Sequence, residues 1–397
     1  MFTTIAAKLV EKLPSGTGLY RATSNIVKTF YTSRRNVKHV TEEFVYKELC
    51  SLNISKSTGL DGIPARFLKD AASILKVPVT FLINLSISEG EVPDELKMAK
   101  VKPLFKKNDR LKPENYRPVS ILSIVSKVLE KAVHKQLEKF LISNNFLFEF
   151  QYSTDSCLIY LIDHIKTETA RGLSTGMVLL VLQKAFDTMD HSILCDKLRV
   201  IGIQSVSWFE SYLTNKKQLV NINGRDSDMG EVTCGVPQGS LLGPLLFLIY
   251  VNDLQTSIDQ DCKVLLYADD TAILFSHNDT RVISEKLLKS CHEWLVDNKL
   301  SLHLGKIESI LFGPNRILRS QSPENFSISC NGINIESKTS VKYLGVMIDP
   351  FLSGDHVVNT IVKKVHQILK FLYRNKNCLD LQSRKTLCST LISTMSF

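Results

Sequence analysis

The stretch KVLLYADDTAILF, residues 263–275, sets two adjacent carboxylates, Asp269 and Asp270, between two apolar runs. Its pattern reads as strand, tight polar turn, strand. Like charges side by side repel, and burying them without a partner is costly. A divalent cation that neutralises both would remove that cost, so the turn points to a metal site; an ordinary Asp-rich hairpin turn is the other explanation. Earlier in the chain VLLVLQKAFD, residues 178–187, looks like a partner strand, yet no carboxylate precedes Asp187 at its end.

A chain of 397 residues with 44% apolar content has enough material for roughly two or three domains and a sizeable core. No uninterrupted apolar run reaches the roughly 18 residues of a membrane span. The start, MFTTIAAKLVEKLP, is too charged for a secretory signal, so the chain reads as intracellular, with nucleus and cytoplasm not distinguished and no membrane expected. Up to Thr41 the only acid is Glu11 against seven Lys or Arg, a faint likeness to a mitochondrial transit peptide. The nine cysteines form no C-x-x-C pair and have no histidines at zinc spacing, so they read as reduced, mostly buried apolar residues.

The net charge of +9 is concentrated. From Lys97 to Lys139 there are twelve Lys or Arg and four acids, and from His356 to the end seven bases and one acid. Two separated basic segments suit a protein that grips a polyanion from two sides; solvated helix faces explain the charge alone equally well.

Residues 40 to 90 read as helical, with Pro64 in a first turn and Ile63, Phe67, Ala71 and Ile74 on one face. Lys100 to Phe105 reads as a short strand. From Ser123 a helix is expected with Val125, Leu129, Val133 and Leu137 as its apolar stripe and the first basic cluster beside it. GMVLLVL at 176–182 has the continuous apolar character of a strand buried on both faces. QLVNINGRDSDMGEVTC reads as two strands around a polar turn, and a helix is expected from near Ser240. A long amphipathic helix should follow the Asp-Asp turn, with Ile283, Leu287, Cys291 and Leu295 inward. Asn331-Gly332, flanked by alternating residues, is the strongest short-range hairpin signal. Helices, then a mixed sheet, then helices argue for an α+β fold with helical flanks.

Six short motifs stand in an order that resembles the reverse transcriptases of non-LTR, LINE-type, jockey-like retrotransposons. They are NYRPVSIL at 115–122, QKAFDTMDH at 183–191, GVPQGSLLGPLLFLIYVNDL at 235–254, YADD at 267–270, LGKIESILFG at 305–313 and YLGV at 343–346. The resemblance implies an RNA-directed DNA polymerase with a right-hand fold: fingers, a palm with an antiparallel sheet, and a partial helical thumb. On it, residues 1–85 form an N-terminal helical extension, 86–348 the fingers and palm, and 349–397 a truncated basic thumb. It also implies two Mg²⁺, deoxynucleoside triphosphates, an RNA template and a DNA primer, and leaves the oligomeric state open. Asp269 and Asp270 match the family's metal carboxylates. Lys106 and Arg117 match fingers residues near the incoming phosphates, where a point charge and a bidentate fork suit phosphate oxygens. Phe186 matches the bulky residue under the sugar, and Gln238 the one that supports nucleotide and template. Lys306 matches a lysine proposed to protonate leaving pyrophosphate, and Tyr343, Leu344, Gly345 and Val346 a hairpin that steadies the primer end. Core packing for Phe186 and a plain surface charge for Lys306 are the ordinary alternatives. An RNA-templated RNA polymerase or a group II intron maturase matches the run of motifs less well.

The chain departs from the family at two places. The family pattern D-L-x-K-A-F-D puts a metal-binding aspartate where this sequence has Val181, and valine offers no oxygen. Asp187 lies six residues on, roughly 20 Å along a strand or about 9 Å along a helix, and a ligand must approach within about 2.1 Å. FEFQYSTDSCL, 148–158, also lacks part of the family's Q-x-G-F-R-x-x-H-S-T. Two functions are therefore expected: a two-metal RNA-directed DNA polymerase impaired in this copy, or an inactive nucleic-acid-binding remnant of one.

Overall fold

The computed structural model describes residues 35–146, 154–267, 270–320, 326–330, 333–375 and 378–392. It is a mixed α/β chain in two compact units, one built from Met1–Ser153, Leu180–Thr271 and Lys289–Lys306, the other from Thr154–Leu179, Ala272–Leu288 and Ile307–Phe397.

The first unit opens with the helix Glu42–Cys50, whose Thr41 side chain accepts from the Phe44 amide while Glu42 and Glu43 complement the helix dipole. Two further helices, Ala65–Asp70 and Ala72–Glu89, break at Ala71. The expected stripe is corrected: Ala65, Leu68, Ala72, Val79 and Ile83 face inward, whereas Phe67 is 60% and Ile74 76% exposed. Apolar residues occupy both faces here, and the buried set keeps one helical phase through Ala71. Pro64 is the residue before the first turn. The helix Ala72–Glu89 is long and apolar enough to cross a membrane by length and composition, and Thr80 and Ser86 lie on its buried side.

Strand β1 (Met98–Phe105) pairs antiparallel with β2 (Tyr116–Leu122) and parallel with a later strand, so the 98–122 hairpin is the edge of a five-stranded sheet. Ser123 caps the helix Ile124–Ser143 by accepting from the Ser126 amide. Leu129, Val133 and Leu137 are buried as expected, but so are Val128, Ala132 and Glu130, so this helix is enclosed on more than one face. Lys131 and Lys135 both pair with the buried carboxylate of Glu48. Burial works to raise the Glu48 pKa, and the two lysines outweigh it and hold it low. These two half-exposed bases are thus engaged in ion pairs with the buried Glu48. Lys102, Lys106, Lys107, Arg110, Lys112 and Arg117, all on the 98–122 hairpin, remain exposed.

β3 (Ser174–Val181) is the expected apolar strand, and its residues 174–180 are buried. Strand β4 (Lys216–Ile222) turns through Asn223-Gly224, both at positive φ, into β5 (Arg225–Asp226), and also pairs with β6 (Gly230–Val232). Positive φ at both turn positions is the type I′ geometry that Asn-Gly favours. β7 (Lys263–Tyr267) leads toward β8 (Asp270–His277), with Ala268 and Asp269 outside the described residues.

In the second unit β3 lies between β8 and β9 (Glu308–Phe312), and β9 is antiparallel to it from Thr175 opposite Phe312 to Leu179 opposite Glu308. β10 (Ser327–Cys330) and β11 (Ile333–Glu336) form the expected hairpin, whose Asn331-Gly332 turn is outside the described residues. Ile283, Leu287, Cys291 and Leu295 of the helix Thr280–Asp297 are all buried. The basic C-terminal region is helical over Asp355–Arg374 and Leu381–Ile392.

Candidate active site

The loop before the helix Leu242–Val251 is held from several sides within the first unit. The Val236 amide donates to the Phe186 carbonyl at 2.8 Å and the Ser120 amide donates to the Gln238 carbonyl at 2.7 Å. Gly235 (φ +75°) and Gly239 (φ +133°) make this approach possible: a Cβ would meet the Asp187 carbonyl oxygen at 2.5 Å in the first case and the Ser120 carbonyl oxygen at 2.3 Å in the second. The loop is closed by Glu130. One of its carboxylate oxygens accepts from the Tyr212 hydroxyl and the other from the Leu241 amide, both at 2.6 Å. The Lys216 amine sits 3.7 Å from the Tyr212 ring centre. Burial raises the Glu130 pKa and lowers that of Lys216 to about 8; the mutual attraction of the two opposes both shifts.

After β3 the chain reaches Lys184 in the left-handed region (φ +51°) and starts a short helix, Ala185–Thr188. Phe186 is half-buried, with its ring 4.5 Å from that of the buried Phe247. Gln238, also half-buried, donates from Nε2 to Asp187 Oδ1 at 2.9 Å. Burial pushes the Asp187 pKa up, and the Gln238 hydrogen bond and the Lys184 charge work against it. Asp187, Gln238, Ser120, Gln218 and Cys234 line a cleft of about 40 Å³, room for a water or two.

The end of β3 is pinned from the other side. The Gln183 and His303 amides donate to the Ser301 and Val181 carbonyls, both at 2.8 Å. Just before that segment, fully buried Lys197 donates to Asp253 Oδ1 (2.7 Å), Asn298 Oδ1 and the Tyr250 carbonyl, and Trp294 donates to the same Asp253 oxygen. Burial disfavours charge on both Lys197 and Asp253, and each charge supports the other. Lys299 pairs with Asp190 at 2.7 Å. Val181 is half-buried and Asp270 exposed.

The expected phosphate ligands cluster in part. Lys106 and Arg117 lie at the open end of the β1–β2 hairpin, with Arg117 opposite Leu104 and both bases exposed. Lys306, also exposed, has its pKa lowered by partial burial and by the charges of Lys106 and Lys107, which brings the two lysines of the sequence expectation into one electrostatic neighbourhood. Tyr343, Leu344 and Gly345 fall in the second unit. There Tyr343 ends β12 (Val341–Tyr343), pairs with Val346 of β13 (Val346–Ile348), and is 2% exposed. Leu344 (φ +48°) and Gly345 (φ +89°) form the turn, with Leu344 in a region that leucine rarely adopts. Of the shortened segment 148–158, residues 148–153 lie outside the described residues, as does Asp269, and 154–158 open the helix Thr154–Ala170.

Glu130, Lys216 and Lys197 are site supports that no motif announces. Asp253, a carboxylate at the end of an apolar helix, falls inside the 235–254 motif and is the one with a legible cue. For a divalent cation the donor set is short: among the described residues no three His, Cys, Asp or Glu side chains converge, and Asp187, the carboxylate nearest Val181 in sequence, is bound to Gln238. Among the described residues, which leave out Asp269, the side chains present do not make up a full two-cation site.

Residues 105–348, more than half of the chain, match the family model described as reverse transcriptase (RNA-dependent DNA polymerase). The chain is 26% identical over 390 residues to a protein named probable RNA-directed DNA polymerase from transposon BS of Drosophila melanogaster, covering 92% of this chain and 42% of that protein. It is also 26% identical to the RNA-directed DNA polymerase from mobile element jockey of Drosophila funebris, over 86% of this chain and 39% of that one. A Pol polyprotein from type-1 retrotransposable element R1 of Bradysia coprophila is again 26% identical, over 74% and 30%. The chain spans about two fifths of the first two relatives. The chain belongs to the reverse transcriptase (RNA-dependent DNA polymerase) family, among the enzymes of jockey-like non-LTR retrotransposons.

Proposed function

We propose that the chain is the fingers, palm and beginning of the thumb of an RNA-directed DNA polymerase that extends a DNA primer on an RNA template, and that nucleotidyl transfer is impaired because Val181 stands where a metal-binding aspartate is needed. On this reading the β1–β2 hairpin belongs to the fingers, β3 with β7 to β9 forms the palm, and residues 349–397 begin the thumb. Asp269 and Asp270 would be the carboxylates that hold Mg²⁺ in such a palm, where the ions would supply positive charge to the transferring phosphate.

The observation that carries the reading is the meeting of β3 and β8 as sheet neighbours: β3 ends at Val181 and β8 begins at Asp270. Two neighbouring strands, one ending at Val181 and the other beginning at a carboxylate of the YADD turn, support the reading of a shared metal site that lacks one of its ligands. Around it this chain's own residues would bind and orient. Lys106 and Arg117 would hold triphosphate oxygens, Phe186 would lie under the sugar, Gln238 would support the nucleotide, and Tyr343 to Gly345 would steady the primer end. Lys306, its proton loosened by partial burial and by neighbouring positive charge, is suited to give that proton to pyrophosphate.

The second reading, a catalytically inactive nucleic-acid-binding remnant, is favoured by the same Val181. Binding and extension separate the two. Salt-sensitive binding of an RNA–DNA primer–template, with dNTP incorporation that is weak but template-dependent, supports the impaired polymerase. Binding with no incorporation by the wild type or by Val181→Asp supports the remnant. Absence of primer–template binding contradicts both.

A further inference from the structure

We infer that Asp187 is a positioning residue for nucleotide binding, acting by fixing which end of the Gln238 amide faces the cleft; this rests on the nucleotide role proposed for Gln238. A carboxylate only accepts hydrogen bonds, whereas an amide end is either donor or acceptor. With Gln238 Nε2 held 2.9 Å from Asp187 Oδ1, the carbonyl Oε1 is directed away from the carboxylate. The backbone cannot undo this choice. The Gln238 carbonyl accepts from the Ser120 amide, Val236 is tied to Phe186, and Gly239 packs its Cα against the Ser120 carbonyl. With the backbone held, the orientation of the amide is left to its side-chain contacts, and Asp187 supplies the one that selects Nε2. The cleft therefore offers an acceptor to an N–H or O–H of the bound deoxynucleotide.

The placement of Asp187 supports this role. It is on the short helix that carries Phe186, one residue from the ring expected under the sugar. The Asp187 carbonyl accepts from the Cys234 thiol, so its own backbone is fixed to the loop it orients. Its carboxylate has no cation within an ion-pair distance among the described residues, and Gln238 is its side-chain hydrogen-bond partner. An acid used only to stabilise the fold would be better placed in an ion pair or at a helix cap.

Two measurements test the inference. In protein labelled with ¹⁵N-glutamine, the Gln238 side-chain amide protons, identified by their loss in Gln238→Ala, should move closer together in shift in Asp187→Ala, while Asp187→Asn keeps the fold and changes them less. Unchanged Gln238 signals in Asp187→Ala overturn the inference. The second measurement needs no turnover: the dissociation constant of the next complementary dNTP is read on the protein bound to an RNA template with a dideoxy-terminated primer. Asp187→Ala should weaken it about tenfold or more, the loss expected for one hydrogen bond to a charged group, and should have no further effect in Gln238→Ala. Additive effects overturn the inference. If the amide signals move but the wild-type complex takes no dNTP, the proposed nucleotide site itself fails and the positioning role falls with it.

Discussion

The hydroxyls of Thr175 in β3 and Ser276 in β8 share a hydrogen bond of 2.8 Å. Thr175 stands near the start of β3 and Ser276 near the end of β8, so these neighbouring strands run antiparallel and the end of β3, at Val181, lies toward the start of β8, at Asp270. On the proposed reading a carboxylate at 181 would come within reach of a cation held by Asp270, and a valine there leaves that cation one ligand short.

The pinned loop gives a stability prediction. Gly239→Ala would drive a methyl group into the Ser120 carbonyl and hold alanine at φ +133°. The expected cost is on the order of 2 kcal/mol. It should appear as a lower urea midpoint, together with weaker dNTP binding, since the loop must shift to relieve the contact.

The Glu130–Lys216 cluster predicts a pH dependence. The Lys216 pKa falls from 10.5 unfolded to about 8 folded, so between those values the unfolded chain binds more protons and stability rises with pH. The gain is lost again as pH falls through about 8. Relative to Lys216→Met, the wild type should gain on the order of 3 kcal/mol between pH 8 and 10.5. Parallel stability curves of the two proteins over that window would contradict the assignment.

Six exposed bases on the 98–122 hairpin predict salt-dependent grip on nucleic acid. If all contact phosphates, primer–template affinity should drop on the order of 10³-fold between 50 and 200 mM salt. Replacing Lys106, Lys107 and Arg117 together by glutamine should flatten the slope by roughly half. Lys131→Gln and Lys135→Gln should instead lower stability and leave the slope nearly unchanged, because those lysines hold Glu48.

Periodicity made much of this fold legible. Ile283, Leu287, Cys291 and Leu295 keep one phase along an unbroken helix and are all buried. Phe67 and Ile74 mislead because apolar residues stand on both faces of this segment, so periodicity alone does not say which face is covered. Asn223-Gly224 announces its turn, whereas Leu344-Gly345 has the same left-handed geometry behind a leucine that gives no local sign of it. The supports of the site are less visible still. Glu130 and the Leu241 amide it accepts from are 111 residues apart, and Lys197 is 56 residues from Asp253. Each reads alone as a solvated charge on a helix, and only tertiary packing turns it into a buried partner. The proposed lost ligand is the reverse case: Val181 suits an apolar strand so well that only comparison with the family pattern singles it out.

Primer extension by the chain as written and by Val181→Asp, on the same RNA template with Mg²⁺, tests the account most directly. Restoring a carboxylate should raise the rate about 10²-fold or more, the scale on which one electrostatic contact to the reacting oxygens acts. Equal rates, with the wild type extending the primer at the speed of a relative that has the aspartate, would contradict the claim that position 181 is a lost metal ligand.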